Sequence, residues 1–242
     1  MMNPKLLKSL LSCLLITVSM TVLKAQEVEK KANFTNFNGV SVSSSIDLYL
    51  TQSNSEQIVV KGTKDLMDKL KISKDADGLL KFEMDKGNGW GNWSWGKDSY
   101  VKAYVSFKTL SRLIASGGSD VYSQGQLKLN DLAIRSSGGS DLKLDLIVGD
   151  LRVVSSGGSD VYLKGKASSF SLLGAGGSDV KAFNLIADKV DVQMSGGSDG
   201  ELYAVKSLTI IASGASDVDY KGTPTKKVIK STGASDVKKV SF

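Results

Sequence analysis

The chain has 242 residues, 31 Lys and Arg against 25 Asp and Glu, no His, one Cys, 25 Gly and 2 Pro, and is 41% hydrophobic. The absence of histidine excludes imidazole catalysis and His-ligated metal sites, and the small, dispersed positive charge offers no clustered basic face for nucleic acid. Glycine in excess of proline, with an ordinary apolar fraction, reads as a folded chain with regular corners rather than a disordered one.

Lys5 and Lys8 precede an apolar run, Leu10 to Val22, and Leu23-Lys24-Ala25 leads into a polar chain at Gln26. This is the pattern of an export signal cut near Ala25. The run is shorter than the roughly 18 to 20 residues that span a bilayer, so residues 1–25 are expected to leave a mature chain with no transmembrane segment. A second reading makes Cys13 a lipid-attachment site, at the cost of leaving Leu14-Leu15-Ile16 and the rest of the run on the mature protein. Removing residues 1–25 takes away the only Cys and three lysines, leaving 28 basic and 25 acidic residues, or +3, and a fold held without disulfides.

Residues 26–33 are polar and expected to be flexible, and residues 34–110 read as a β-rich N-terminal portion. Val40, Val42, Ile46, Leu48 and Leu50 alternate around Ser43-Ser44-Ser45-Ile46-Asp47, predicting strand, bend, strand. Ile58-Val59-Val60 predicts a strand, and Leu66, Met67 and Leu70 have the spacing of a short helix over 64–70. Asp75-Ala76-Asp77-Gly78 is a turn signal. The alternating Leu80, Phe82, Met84 and Val101, Ala103, Val105, Phe107 are expected to form a hairpin. Between them, the glycine-rich loop 86–97 carries all three tryptophans, Trp90, Trp93 and Trp95. Aromatics on such a loop suit stacking against sugar rings or anchoring in a partner protein, or else they fold back over the core.

From residue 111 to 242 one phrase recurs seven times: Ser116-Gly117-Gly118-Ser119-Asp120, then copies ending at Asp141, Asp160, Asp179, Asp199, Asp217 and Asp236. The steps between aspartates are 21, 19, 19, 20, 18 and 19 residues, the mark of a stacked repeat. Aligned on the first glycine, the position four before it is Leu113, Ile134, Val153, Leu172, Val192, Ile210 and Ile229, apolar throughout. Six before it, the apolar column is broken only at its ends, by Ser111 and Lys227, as terminal coils of a stack require. Four after it stand Val121, Leu142, Val161, Val180, Gly200, Val218 and Val237. Even offsets therefore point inward and odd offsets outward. A coil of about 19 residues, with strands pairing one coil above and below at about 4.8 Å, is a parallel β-helix. The absence of six-residue spacing favours the right-handed form. The expected fold is thus all-β, a parallel β-helix continuous with the N-terminal strand, helix and hairpin portion over 34–110.

The glycines read as corners, with only the first position strict, since Ala215 and Ala234 replace the second. The inward serine is expected to form a hydroxyl ladder or to bond its local backbone. The outward aspartates form a row in which neighbours repel by on the order of 1 kcal/mol in water, tolerable without a metal. The other reading is a Ca2+ site, since Ca2+ takes several carboxylate and carbonyl oxygens. No Asp–Lys pair is singled out by a break in the repeat, as a catalytic pair would be.

The opening Asn36-Phe37-Asn38-Gly39-Val40-Ser41-Val42, the segment Asp77-Gly78-Leu79-Leu80-Lys81-Phe82, the serial Ser-Gly-Gly-Ser-Asp corners and the closing Tyr220-Lys221-Gly222-Thr223-Pro224 with Lys230-Ser231-Thr232-Gly233 resemble the head GIN domain family, described as auto-transporter adhesins. The resemblance covers residues 34–242 and implies an exported β-helix with a role in adhesion and no catalytic residues; the Trp loop stands outside the family pattern. The combined expectation is a non-enzymatic, exported binding module in the periplasm, on the outer surface or secreted, with a glycan or surface protein as partner. Two alternatives stand: a polysaccharide-processing enzyme on the same scaffold, and a structural protein that self-associates through open strand edges.

Overall fold

The structure is a computed structural model that describes residues 27–85 and 99–241. The N-terminal portion contains β1 (Glu27–Ala32), β2 (Gly39–Val42), β3 (Asp47–Gln52), β4 (Gln57–Thr63), α1 (Lys64–Met67), β5 (Leu70–Lys74), β6 (Leu79–Met84), β7 (Val101–Phe107) and β8 (Arg112–Ala115). The repeats follow as β9 (Val121–Ser136), β10 (Asp141–Ser155), β11 (Asp160–Gly174), β12 (Asp179–Met194), β13 (Asp199–Ala212), β14 (Asp217–Lys221), β15 (Lys226–Ser231) and β16 (Asp236–Lys239). All sixteen described strands belong to one sheet, wound into a parallel β-solenoid of about seven turns with ~19-residue coils.

Stacking is in register. Asp141 pairs with Asp160, Asp160 with Asp179, Asp179 with Asp199, Asp199 with Asp217 and Asp217 with Asp236. Each full coil is one 14- to 16-residue strand that bends without losing its ladder. At Gly149 and Asp150 two consecutive residues avoid the interior, which shifts the alternation by one and turns the corner. The apolar columns make the core: Leu113, Ile134, Val153, Leu172, Val192 and Ile210 are at most 2% exposed. Met194 breaks a column of small residues, and glycines make room for it: a Cβ on Gly174 would lie 2.5 Å from its Sδ, and one on Gly200 3.5 Å from its Cε.

The corner explains the phrase. The first glycine has positive φ in all seven copies, from 62° to 77°, and its Cβ would press on the backbone of the residue stacked beneath it, 2.9 to 3.3 Å away. The second glycine is left-handed only at Gly118 and Gly139. In later copies its N–H instead donates to the preceding coil's first glycine, as Gly197 does to the Gly176 carbonyl (2.8 Å) and Ala215 to that of Gly196 (2.7 Å), a geometry that admits alanine. The serines of the first six copies are buried, and local bonding wins over a ladder: Ser140 donates to the Ser137 carbonyl (2.7 Å), Ser159 to Ser156 (2.9 Å) and Ser198 to Ser195 (2.9 Å).

Ser43 to Asp47 is a coil corner without glycine. Ser44 and Ser45 hold φ of 68° and 56°, the Ser45 N–H donates to the Gly117 carbonyl, and the Ile46 N–H to Ser119 Oγ. β2 and β3 thereby stack parallel on β8 and β9.

Three expectations for the N-terminal portion change. Within the lead over 26–33, expected to be flexible, Glu27–Ala32 is an ordered strand: β1 pairs antiparallel with β4 along its length, Glu27 opposite Thr63 to Ala32 opposite Ile58. The helix over 64–70 stops at Met67, because Leu70 and Ile72 face Met84 and Phe82 as a strand. The hairpin is therefore β5–β6 around residues 75–78, where the Asp75 side chain accepts the N–H groups of Asp77 and Leu79. β6 and β7 do not pair; β7 lies between β3 and β4. These antiparallel strands and α1 cover the N-terminal end of the stack, burying Leu66, Met67 and Leu70.

Candidate functional site

Because a parallel stack repeats every outward position at one-strand spacing, a residue type kept at one offset becomes a line along the rod. The first such line is the aspartate row. Asp120, Asp141, Asp160 and Asp179 are half-buried, and Asp199, Asp217 and Asp236 are exposed. Asp47 of the glycine-free corner extends the row beyond Asp120, and Lys102 lies beside it. Partial burial pushes the Asp141 carboxyl above the usual range, with Asp120 and Asp160 adding repulsion that Lys143 and the Asp160 N–H partly offset. Asp179 is raised in the same way, by burial and then by Asp160 and Asp199. At the end of the row Asp236 is lowered, chiefly by its bond to Lys238. The carboxylates line up rather than converge, and among the described residues no group of three or more acidic or thiol side chains is placed to hold a metal ion.

Two residues further along each strand runs a second line. In pairing order it reads Tyr104, Tyr49, Tyr122, Lys143, Tyr162, Lys181. Tyr49 stacks on Tyr104 at 4.9 Å between ring centroids and on Tyr122 at 5.3 Å. The Lys143 ammonium lies between two rings, 5.8 Å from Tyr122 and 5.5 Å from Tyr162, and Lys181 is 5.1 Å from Tyr162. Cation–π attraction of this kind fixes long side chains over the aromatic faces. Tyr122 also donates to Asp120 Oδ2 (3.0 Å), and burial together with that bond pushes its hydroxyl up to about 12. The two lines are thus coupled.

Beside this ladder lies an open groove of about 680 Å3, bordered by Tyr122, Lys143, Tyr162, Lys181, Phe183 and Lys221. Phe183 points outward because β12 holds an extra residue against β11, three steps from Lys181 to Asn184 against two from Tyr162 to Lys164, and a bulge re-aims side chains. The Lys221 ammonium sits 4.4 Å from the Phe183 ring centroid. On the groove floor Asp145 accepts from Gln126 and pairs with Lys164 at 3.2 Å. Aromatic faces bordered by ammonium and carboxylate groups in a solvent-open cleft can stack on a sugar ring and bond its hydroxyls.

Of the residues singled out in the sequence, the structure brings the seven aspartates into one row next to this groove. Trp90, Trp93 and Trp95 fall outside the described residues. Sequence reasoning misses the tyrosines and lysines of the ladder, although five residues after the first glycine the repeats read Tyr122, Lys143, Tyr162, Lys181, and Tyr49 stands two residues after Asp47 as Tyr122 does after Asp120; Tyr104 and Phe183 carry no periodic signal.

Fold and groove together define a β-solenoid with a lateral, aromatic-lined groove. The family model described as "Putative auto-transporter adhesin, head GIN domain" matches residues 36–224. The chain belongs to that family and is an adhesin-like protein. Crystal structures with the same fold include a protein from Bacteroides fragilis NCTC 9343 described as a putative adhesin, with 24% identity, 90% of this chain and 98% of that one covered, and TM-score 0.79. Another, from Parabacteroides merdae ATCC 43184 and also described as a putative adhesin, has 19% identity, the same coverages and TM-score 0.68. A third, from Parabacteroides distasonis ATCC 8503, is described as a putative lipid binding protein, with 19% identity, the same coverages and TM-score 0.65. No curated protein matches the chain. Among the described residues no helix is long and apolar enough to cross a membrane.

Proposed function

We infer that the protein is an exported, non-enzymatic binding module whose lateral groove takes a glycan of the cell surface or its surroundings. The observation that carries this reading is the ladder of Tyr122, Lys143, Tyr162 and Lys181 along the groove, continued beyond it by Tyr49 and Tyr104. A polar, charged lining favours a hydroxyl-rich ligand over an acyl chain, although one fold neighbour is described as lipid binding. Export is supported by the pattern of residues 1–25 and by family membership.

The test is a glycan array probed with the protein and with Tyr122→Ala/Tyr162→Ala. Loss of about tenfold or more in binding is expected, since aromatic stacking is worth about 0.5–1.5 kcal/mol per pair beyond burial. Binding that survives in this variant but is lost in Trp90→Ala/Trp93→Ala/Trp95→Ala moves the site to the Trp loop. New reducing ends from uronate polymers would replace the binding reading with an enzymatic one.

A further inference from the structure

The two ends of the rod differ. At the N-terminal end the antiparallel strands and α1 finish the core. At the other end the last coil is β15 and β16, and β15 pairs only with β13, leaving its outer edge without a strand among the described residues. The core column continues onto this edge but is not covered: Ile210 is 0% exposed, whereas Ile229, stacked on it, is 37% exposed, and neighbouring Val228 is 51% exposed. Around these apolar residues stand Lys226, Lys227, Lys230, Lys238 and Lys239. Lys227 folds over Tyr220 and donates to its hydroxyl (3.3 Å), and Lys238 pairs with Asp236. Among the described residues, Lys226, Lys230 and Lys239 have no ion-pair partner.

We propose that this edge is a docking site for an acidic, extended peptide segment of a partner protein, which adds to β15 as one more parallel strand. Edge lysines discourage pairing with another copy of the same chain, because a second lysine-rich end would bring like charges together. They attract an acidic strand instead, with main-chain hydrogen bonds supplying affinity and alternate side chains specificity. Lys226, Val228 and Lys230 face outward along β15, and Lys227, Ile229 and Ser231 continue the inward columns. The matching segment therefore has acidic residues four apart, opposite Lys226 and Lys230, and apolar residues opposite Val228 and Ile229. This gives the pattern acid, any, apolar, apolar, acid. The surface is separate from the lateral groove and does not depend on the reading given to it.

The probe is a fluorescein-labelled peptide containing Glu-Ser-Val-Val-Glu within a Gly/Ser frame, titrated with the protein by fluorescence polarisation. The Glu peptide should bind about tenfold tighter than its Gln counterpart at low salt, the combined effect of two exposed charge pairs. The advantage should shrink with added salt. Lys226→Glu/Lys230→Glu should lose it, and a peptide with Lys in place of both Glu should recover binding to that variant. Proline in the middle of the peptide should abolish binding, because it removes a ladder N–H. Equal binding of Glu and Gln peptides, an unaffected double variant, or an unaffected Pro peptide would each overturn the proposal. So would self-association by light scattering that the double variant alters, which would assign the edge to a second copy.

Discussion

The corner glycines allow a paired test in adjacent residues. Gly196 has φ of +75°, and a Cβ there would lie 3.0 Å from the carbonyl oxygen and 3.1 Å from the nitrogen of Gly176 in the coil beneath. Gly196→Ala should cost about 1–2 kcal/mol for a left-handed alanine and about 1–3 kcal/mol for crowding a backbone that neighbouring coils hold in place. Gly197 is outside the left-handed region, and its Cβ would meet only the Gly176 oxygen at 3.9 Å. Gly197→Ala should therefore be stabilising by about 0.4–1 kcal/mol, through lost freedom of the unfolded chain. Ala215 already occupies the corresponding place and makes the same hydrogen bond. Urea unfolding followed by circular dichroism, with m-values compared to confirm that all three proteins unfold the same surface, measures the difference. If the two variants fall within about 0.5 kcal/mol of each other, a spread typical of neutral surface changes, the account of the corner is wrong.

Two further outcomes follow from the packing and the carboxylate row. Met194→Ala should cost about 2–5 kcal/mol by leaving a hole between Gly174 and Gly200, and Gly200→Val, which restores the valine of that column, should recover part of the loss in the double variant by non-additive coupling. Asp160→Asn should lower the carboxyl titration midpoints of both Asp141 and Asp179, each of which it repels, and leave Asp236 unmoved; NMR titration with unshifted midpoints would contradict the row. The sign for stability is the reverse of the usual carboxylate. With folded values above the unfolded value of about 3.9, the folded state binds more protons in between. The contribution of Asp141 and Asp179 to stability therefore falls as pH rises through that window and is restored as pH drops below it.

The coil length, the apolar columns, the outward aspartates and the inward serines were all legible, because each follows from a side-chain alternation of two and a repeat near 19. Ser43 to Asp47 was legible as a bend between two strands, although not that Ser44 and Ser45 would carry left-handed angles. The hairpin was misjudged because Leu70 and Ile72 give too short an alternation to outweigh the helical spacing of Leu66, Met67 and Leu70. The sequence offers as candidate site the conspicuous residues, the tryptophans and aspartates, whereas the tyrosines of the ladder come from β3, β7, β9 and β11.

By itself the sequence determined the solenoid, because in a parallel stack residue i meets the residue one coil later, and that pairing is written into the period. Which outward lines become a surface depended on the tertiary structure. Tyr104 reaches Tyr49 only because β7 inserts beside β3, Phe183 turns outward only through a bulge, and Ile229 is left uncovered because, among the described residues, β15 pairs with β13 alone. These contacts depend on which strand edges meet and how their registers slip, and a repeat pattern leaves both open.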